Sequence, residues 1–301
     1  MDVGFIGLGN IGGSCARHLV EAGHRVTVFD IAEDAVDRMV QLGASAAGST
    51  AEVAAGTEAV FLSLPSPEAS EAVVAGEGGL LASGRPGLVV VDLSTNSVGM
   101  ARLLFERCRQ AEVDYIDCPV SGGAWGADRG DLALMPSGDE AAFVRVRDAL
   151  VCFGKDSTRW LGPCGTGTLV KLINNQVFLV ATQVFGEGYL LAAKAGLDIG
   201  SFLTVLRASS AGLYMPLADM IVKRQWESSN YDLSLAEKDL RLALESAEEI
   251  GTPLPLTEAA HRVLARSLEE GLGDKFFIAA MEALEAEAGF VAPIPLDMNK
   301  S

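Results

Sequence analysis

Val3-Gly4-Phe5-Ile6-Gly7-Leu8-Gly9-Asn10-Ile11-Gly12 is the stretch that sets the fold. Its first four residues read as a short, mostly apolar strand that runs directly into a G-x-G-x-x-G turn. Beyond the turn, Ile11, Cys15 and Leu19 recur at helical spacing, and Ala22-Gly23 ends that helix with a glycine suited to the C′ position. A second apolar run, 26–29, closes on Asp30, which lies 18 residues past Gly12. Strand, glycine turn, helix, strand and acid in this order make a dinucleotide-binding βαβ unit. Gly7 permits the tight turn, Gly9 lets the backbone approach a pyrophosphate, and Gly12 lets helix and strand close together. Leu8, Asn10 and Ile11 complete the turn and are expected to line the cofactor with the glycines. The helix start offers N–H groups and partial positive charge to phosphates. Asp30 can accept hydrogen bonds from ribose hydroxyls and would repel a 2′-phosphate. The residues that follow it, Ile31-Ala32-Glu33-Asp34, include no Arg to hold such a phosphate. The expected cofactor is therefore NAD rather than NADP.

Further strands are expected at 59–63, 88–92, 114–117 and 132–136, with helical patterns between most of them. Strands separated by helices need crossover connections, which give a parallel sheet. The fold class predicted is α/β, an N-terminal Rossmann domain with a doubly wound, mostly parallel sheet over 1–163. The pattern changes after about Gly162. Residues 166–194 read as one proline-free helix about 40 Å long. It is apolar on most of its surface, so burial between domains or subunits is expected. Helices at 199–208, 217–223, 233–250, 256–270 and 275–288 complete an all-α domain over 164–301. The long helix joins it to the first domain.

Composition bounds the function. The formal net charge of −17 removes the basic footprint that nucleic acid or an anionic membrane requires, so neither is an expected partner. The five cysteines are odd in number, scattered and without C-x-x-C spacing, and the three histidines show no ligand spacing. That suits a reducing cytoplasm and argues against a disulfide framework or any metal site. The N-terminus shows no basic leader, and no uninterrupted apolar run approaches the ~18 residues of a membrane span.

Two more segments carry chemistry. Asp117-Cys118-Pro119-Val120-Ser121-Gly122-Gly123 follows a strand, and its small residues expose backbone N–H groups able to hold a carboxylate. Taken alone, it is also compatible with a plain loop. Gly165-Thr166-Gly167-Thr168-Leu169-Val170-Lys171-Leu172-Ile173-Asn174-Asn175 opens the long helix. Lys171 and Asn175 are i and i+4 and share a face. A lysine in an apolar helix is costly to bury unless it is paired or functional, although it can also snorkel to solvent.

Together these motifs resemble the β-hydroxyacid dehydrogenase family, whose members include 3-hydroxyisobutyrate dehydrogenase and tartronate semialdehyde reductase. The likeness spans essentially the whole chain. The first motif continues through Ala22-Gly23-His24-Arg25-Val26. The second resembles the family's D-x-P-V-S-G-G, with Gly126-Ala127 and Gly130 after it. The third resembles G-x-G-x-x-x-K-x-x-N-N, and Lys238-Asp239-Leu240 resembles a late K-D-L. The resemblance implies that Lys171 is the catalytic lysine, serving as general acid and base, and that Ser121, Gly122 and Gly123 bind the substrate carboxylate. Asn175, Tyr231 and Asp239 would complete the substrate site. Leu64, Pro65 and Thr95 would line the cofactor, and Lys238 would approach it. It further implies a small 3-hydroxy acid substrate of the 3-hydroxyisobutyrate kind, and the apolar long helix suggests a homo-oligomer, a homodimer or homotetramer. Reduction of a tartronate semialdehyde-like substrate, an imine reductase and a catalytically silent dinucleotide binder are the alternatives. The presence of Lys171 disfavours the last two.

The chain departs from the family pattern around the substrate motif. Ala69 stands where some members have a cofactor-contacting Asn, Cys118 replaces a common Ala, and Trp125 puts a bulky group in a loop of small residues. Met135-Pro136-Ser137-Gly138 replaces Met-Val-Gly-Gly, and Tyr231 takes a position usually held by Phe. These changes bear on substrate identity more than on chemistry.

Overall fold

The computed structural model describes residues 1–155, 158–215, 217–227 and 231–294. The chain divides into two compact units, Met1–Lys171 and Leu172–Ser301.

In the first unit the strands are β1 (Asp2–Ile6), β2 (Arg25–Phe29), β3 (Ser45–Ala46), β4 (Ala59–Leu62), β5 (Val89–Asp92), β6 (Asp114–Asp117), β7 (Val120–Ser121), β8 (Ala133–Leu134) and β9 (Ser137–Gly138). Among the described residues, seven of them form one sheet in the order β3-β2-β1-β4-β5-β6-β9. All pairs are parallel except β6 with β9. This is the doubly wound arrangement expected from the repeated strand–helix pattern. Alternate residues feed opposite faces, as the pleat requires. Phe5, Phe61, Val91 and Ile116 enter one core, while Ile6, Val60, Leu62, Val90 and Tyr115 enter the other. Burial on both faces explains why these strands read as unbroken apolar runs.

Strand order reverses between β1 and β4, so the crevice outside their carboxyl ends is the natural ligand position. The ladder runs one residue past both strands. The Gly7 N–H donates to the Phe29 carbonyl at 3.1 Å, and the Ser63 N–H donates to the Ile6 carbonyl at 2.9 Å.

The run 132–136 does not form the single strand expected. Its Ala133–Leu134 portion pairs antiparallel with β7 in a separate two-stranded ribbon, and β9 then returns to the edge of the main sheet. Pro136 stands between the two pairings and has no N–H to extend either ladder.

The helix Thr166–Lys194 has the bounds expected of it. It is not buried all round, however. Ile173, Val177, Val184 and Leu191 are 49–73% exposed and fall on one stripe. By length and hydropathy this helix could cross a membrane, yet half of its most apolar window is buried inside the protein. Buried core helices meet the same measure.

The second unit is helical, with Ile199–Ala208, Ala218–Val222, Leu233–Ile250, Pro255–Glu269 and Ala280–Ala288 around a core that includes Leu179, Tyr189, Leu203, Leu240, Leu264 and Phe277. The last helix begins later than the expected 275. Phe276 is extended and bridges to Asp232, and a short 3-10 turn, Phe277–Ala279, leads into Ala280–Ala288.

Candidate active site

The glycine turn after β1 is built by close packing. Gly7 has φ of +90°, and a Cβ placed there would lie 2.3 Å from the Ser63 carbonyl oxygen. A Cβ at Gly12 would lie 2.0 Å from the Gly7 carbonyl oxygen. At Gly9, by contrast, an added Cβ meets no atom within 4 Å. Gly9 is thus not required by the protein's own packing. The space beside it is open for an occupant to approach the backbone. The helix Gly12–Glu21 makes the same point. Helices Thr50–Gly56, Pro67–Ala75, Val98–Gln110 and Glu140–Leu150 are capped by the side chains of Ser49, Ser66, Ser97 and Asp139. Gly12–Glu21 has Ile11 at its N-cap, no side-chain cap bond and no acid in its first turn. The Gly13 N–H is held by the Gly9 carbonyl at 2.9 Å, and with no side-chain cap or acid the positive end of the helix dipole faces the turn, where it suits an anion. Asn10 is exposed at the turn, and Ile11 is half-buried.

Asp30 closes the turn from the end of β2. Its Oδ2 accepts from the Leu8 N–H at 2.6 Å and its Oδ1 from the Ala32 N–H at 2.8 Å. A carboxylate has about four acceptor positions, so two remain for ribose hydroxyls. The residues present therefore fit a dinucleotide.

The next two strand ends are tied together. Leu64 is half-buried and Pro65 exposed after β4, and the Leu64 N–H donates to Ser94 Oγ at 2.9 Å. Ser94 belongs to the turn that carries Thr95, and buried Asp92 organises that turn. It accepts from the Ser94 N–H at 2.9 Å, the Asn96 amide at 2.9 Å and the Tyr115 hydroxyl at 3.0 Å. Burial, with Asp92 beside it, holds the Tyr115 phenol well above its usual range, so it stays a donor.

A further cluster, which sequence reasoning missed, links the second motif to the third. Asp117 ends β6 and is buried. Its Oδ2 accepts from Ser137 Oγ at 2.9 Å, the Thr168 N–H at 2.9 Å and the Gly165 N–H at 3.2 Å, while its Oδ1 accepts from Thr168 Oγ1 at 2.6 Å. Ser137 Oγ in turn accepts from the Gly167 N–H at 2.9 Å. Asp117 is thus a capping group for the long helix, supplied from another strand. Gly167 makes room for this contact, because a Cβ there would lie 2.0 Å from the Met135 carbonyl oxygen. Lys171 follows three residues after Thr168 and is half-buried. Ser121 follows four residues after Asp117, and Gly122 and Gly123 hold φ of +136° and +62°, conformations that favour glycine. A sequence signal existed in Asp117, since an acid closing an apolar strand needs buried donors. Nothing local named the donors, which come 20 to 51 residues later.

The second unit gathers another set. Asn175 and Asp239 are buried, and Asp239 Oδ2 accepts from Asn175 Nδ2 and from the Tyr231 hydroxyl, both at 2.5 Å. Lys238 Nζ lies 3.1 Å from Asp239 Oδ1. Burial and the Asp239 charge hold the Tyr231 phenol well above its usual range. Because Asp239 accepts from the Asn175 amide nitrogen, the Asn175 amide orientation is set. Its Oδ1 accepts from Asn174 Nδ2 at 3.0 Å.

All five cysteines are free thiols. Burial pushes Cys15 and Cys108 up to about 12 and Cys118 well above its usual value, so these three are poor nucleophiles.

The two glycines give a paired test. Gly12→Ala should lower stability by about 3 kcal/mol through overpacking against Gly7. Gly9→Ala should leave the melting temperature unchanged and weaken NADH binding at least about tenfold, because its Cβ intrudes only on the ligand. Thermal melts and NADH fluorescence titrations read the two effects separately.

Comparison with known proteins agrees with this arrangement. The model of the NAD binding domain of 6-phosphogluconate dehydrogenase matches residues 2–162, and that described as NAD-binding of NADP-dependent 3-hydroxyisobutyrate dehydrogenase matches residues 165–284. A probable mitochondrial 3-hydroxyisobutyrate dehydrogenase of Dictyostelium discoideum is 35% identical over 283 residues, covering 91% of this chain and 88% of its own. The 2-(hydroxymethyl)glutarate dehydrogenase of Eubacterium barkeri is 33% identical, covering 96% of each chain. The solved structure of Mycobacterium tuberculosis 3-hydroxyisobutyrate dehydrogenase with L-serine matches at a TM-score of 0.84 and 29% identity, covering 94% of this chain and 98% of its own. With matches along both units and a turn shaped for a dinucleotide, the chain belongs to the β-hydroxyacid dehydrogenase family, and it is an oxidoreductase that uses a nicotinamide dinucleotide.

Proposed function

We propose that the chain reversibly oxidises the hydroxyl of a small 3-hydroxy acid, of the 3-hydroxyisobutyrate kind, to the corresponding aldehyde or ketone, with NAD as cofactor and Lys171 as the acid–base group. The observation that carries this reading is the Asp117 cluster. It bonds the start of the Lys171 helix to the strand that leads into Ser121, Gly122 and Gly123. The group expected to handle the proton and the loop expected to hold the carboxylate are thereby tied to one buried anchor.

NAD, when bound, supplies the two-electron acceptor for the hydride leaving the hydroxyl-bearing carbon. The chain does the rest. Ser121, Gly122 and Gly123 hold the substrate carboxylate through backbone N–H groups and the serine hydroxyl. Lys171 Nζ, as the neutral amine, accepts the proton of the substrate hydroxyl as the hydride leaves. The ammonium so formed stabilises the negative charge developing on that oxygen, and it returns the proton as general acid in the reverse direction. Asp239 fixes the amide of Asn175, one turn beyond Lys171 on the same helix, and Tyr231 and Lys238 hold Asp239 in place. Leu64, Pro65 and Thr95 line the cofactor side of the crevice. The exposed stripe through Ile173, Val177, Val184 and Leu191 supports a homo-oligomer, a dimer or tetramer.

Asp30 supports NAD over NADP, since its free acceptor positions suit two hydroxyls and its charge opposes a phosphate. Initial rates of reduced cofactor formation across a panel of hydroxy acids test both halves of the proposal. NAD should be preferred in kcat/KM by about a hundredfold, and Asp30→Asn should cost NAD about tenfold or more while narrowing that preference. A wild-type preference for NADP would overturn the cofactor reading. No turnover with any 3-hydroxy acid would overturn the substrate reading.

A further inference from the structure

We propose that Trp125 determines specificity, its indole forming an apolar wall beside the 121–123 loop. It would select 3-hydroxy acids that carry an alkyl group at C2 over those carrying hydrogen or a second carboxylate there. The inference rests on the reading of that loop as the carboxylate site.

The helix Gly123–Arg129 buries Gly126 and Ala127, and a Cβ at Gly126 would lie 3.2 Å from Leu132 Cδ2. That packing turns Trp125 outward, 57% exposed. The Gly126 N–H donates to the Gly122 carbonyl at 3.0 Å, so the helical turn reaches back over the loop. Helical side chains lean toward the N-terminus and cover the turn before their own Cα. For Trp125 that turn contains Ser121 and Gly122. Gly122 and Gly123 are themselves exposed, and a Cβ at Gly123 would meet nothing within 4 Å. The loop backbone is therefore open where a side chain at Gly123 would stand.

The charges of this helix are engaged elsewhere. Asp128 pairs with Arg17 at 3.0 Å and Arg129 with Asp131 at 3.7 Å. A second carboxylate beside the loop would face the indole rather than an opposite charge, and desolvation of that ion would go uncompensated. An alkyl group would instead remove apolar surface from water on both partners. The indole makes no hydrogen bond, ring stack or cation contact among the described residues.

The test compares kcat/KM for 3-hydroxypropionate, 3-hydroxyisobutyrate, 2-ethyl-3-hydroxypropionate and hydroxymethylmalonate in wild type, Trp125→Ala and Trp125→Phe. In the wild type each added carbon should raise kcat/KM about fourfold, and hydroxymethylmalonate should fall below 3-hydroxyisobutyrate. In Trp125→Ala the rise should flatten to within about twofold, and Trp125→Phe should retain part of it. An unchanged slope in Trp125→Ala would overturn the inference while leaving the reaction assignment standing. A second arm needs no turnover: in W160F/W226F protein, isobutyrate should shift the Trp125 emission to the blue more strongly than acetate does. If the wild type oxidises none of the acids, the reaction assignment falls, and this arm alone decides on Trp125. Absence of any response to isobutyrate would overturn the inference.

Discussion

Lys171→Ala is expected to lower kcat for 3-hydroxy acid oxidation about a thousandfold while leaving NADH affinity within about twofold of the wild type. Removal of the amine takes away the acceptor for the hydroxyl proton and, with it, the ammonium that forms beside the oxygen as the hydride leaves. The dinucleotide turn, anchored by Gly7, Gly12 and Asp30, does not depend on the lysine for its packing. Lys171→Arg should recover little, because a guanidinium keeps the charge but does not exchange a proton near neutral pH. Steady-state kinetics with NADH titration in parallel separate loss of chemistry from loss of binding.

Asp117→Ala is expected to cost about 3–5 kcal/mol of stability and to lower kcat in the protein that still folds. The substitution strands the Gly165 and Thr168 N–H groups and the Ser137 and Thr168 hydroxyls, whose acceptor it removes inside a buried site. It also frees the start of the helix that carries Lys171, so activity should fall even under conditions that favour the folded state. The charge adds a pH signature. Burial raises the Asp117 carboxyl to about 6, against its hydrogen-bond donors. A carboxyl with a folded-state pKa above the unfolded one stabilises fully below the unfolded value, and that contribution is lost as pH rises through the folded value. On going from about pH 7 to about pH 5, the wild type should therefore gain about 1 kcal/mol relative to Asp117→Asn. Urea melts of both proteins at the two pH values measure the difference, and parallel pH dependences would contradict it.

What the sequence reveals here tracks how local the controlling physics is. The helices Thr166–Lys194, Ile199–Ala208 and Leu233–Ile250 have the limits expected from periodicity and from glycine, proline and polar breaks. The glycine turn was legible because each of its glycines answers a steric demand within one βαβ unit. β3 was not, since Ser45–Ala46 is short and exposed and is made a strand by pairing with β2. The run 132–136 carries no mark of its division between two sheets, because periodicity identifies a strand but not its neighbour. Lys275 and Phe276 have helical composition, yet the bridge from Phe276 to Asp232 holds that segment extended.

The site divides in the same way. Lys171, Asn175 and the 121–123 loop stood out through residue type and spacing, and Asp239 through the family resemblance. The Asp117 cluster joins residues far apart in sequence, and its purpose shows only when the donors are counted. Ser137 illustrates the gap. In the sequence it is a departure from a glycine-rich pattern, whereas in the fold its hydroxyl bridges Asp117 and the Gly167 N–H.

Chemical rescue of Lys171→Ala tests the role of the lysine most directly. Oxidation of 3-hydroxyisobutyrate with NAD is followed as primary amines of graded pKa are added. The predicted result is a rate near background without amine and a saturable recovery that grows with amine basicity, absent in the wild type. Turnover by Lys171→Ala near the wild-type rate without any amine would contradict the assignment of Lys171 as the acid–base group.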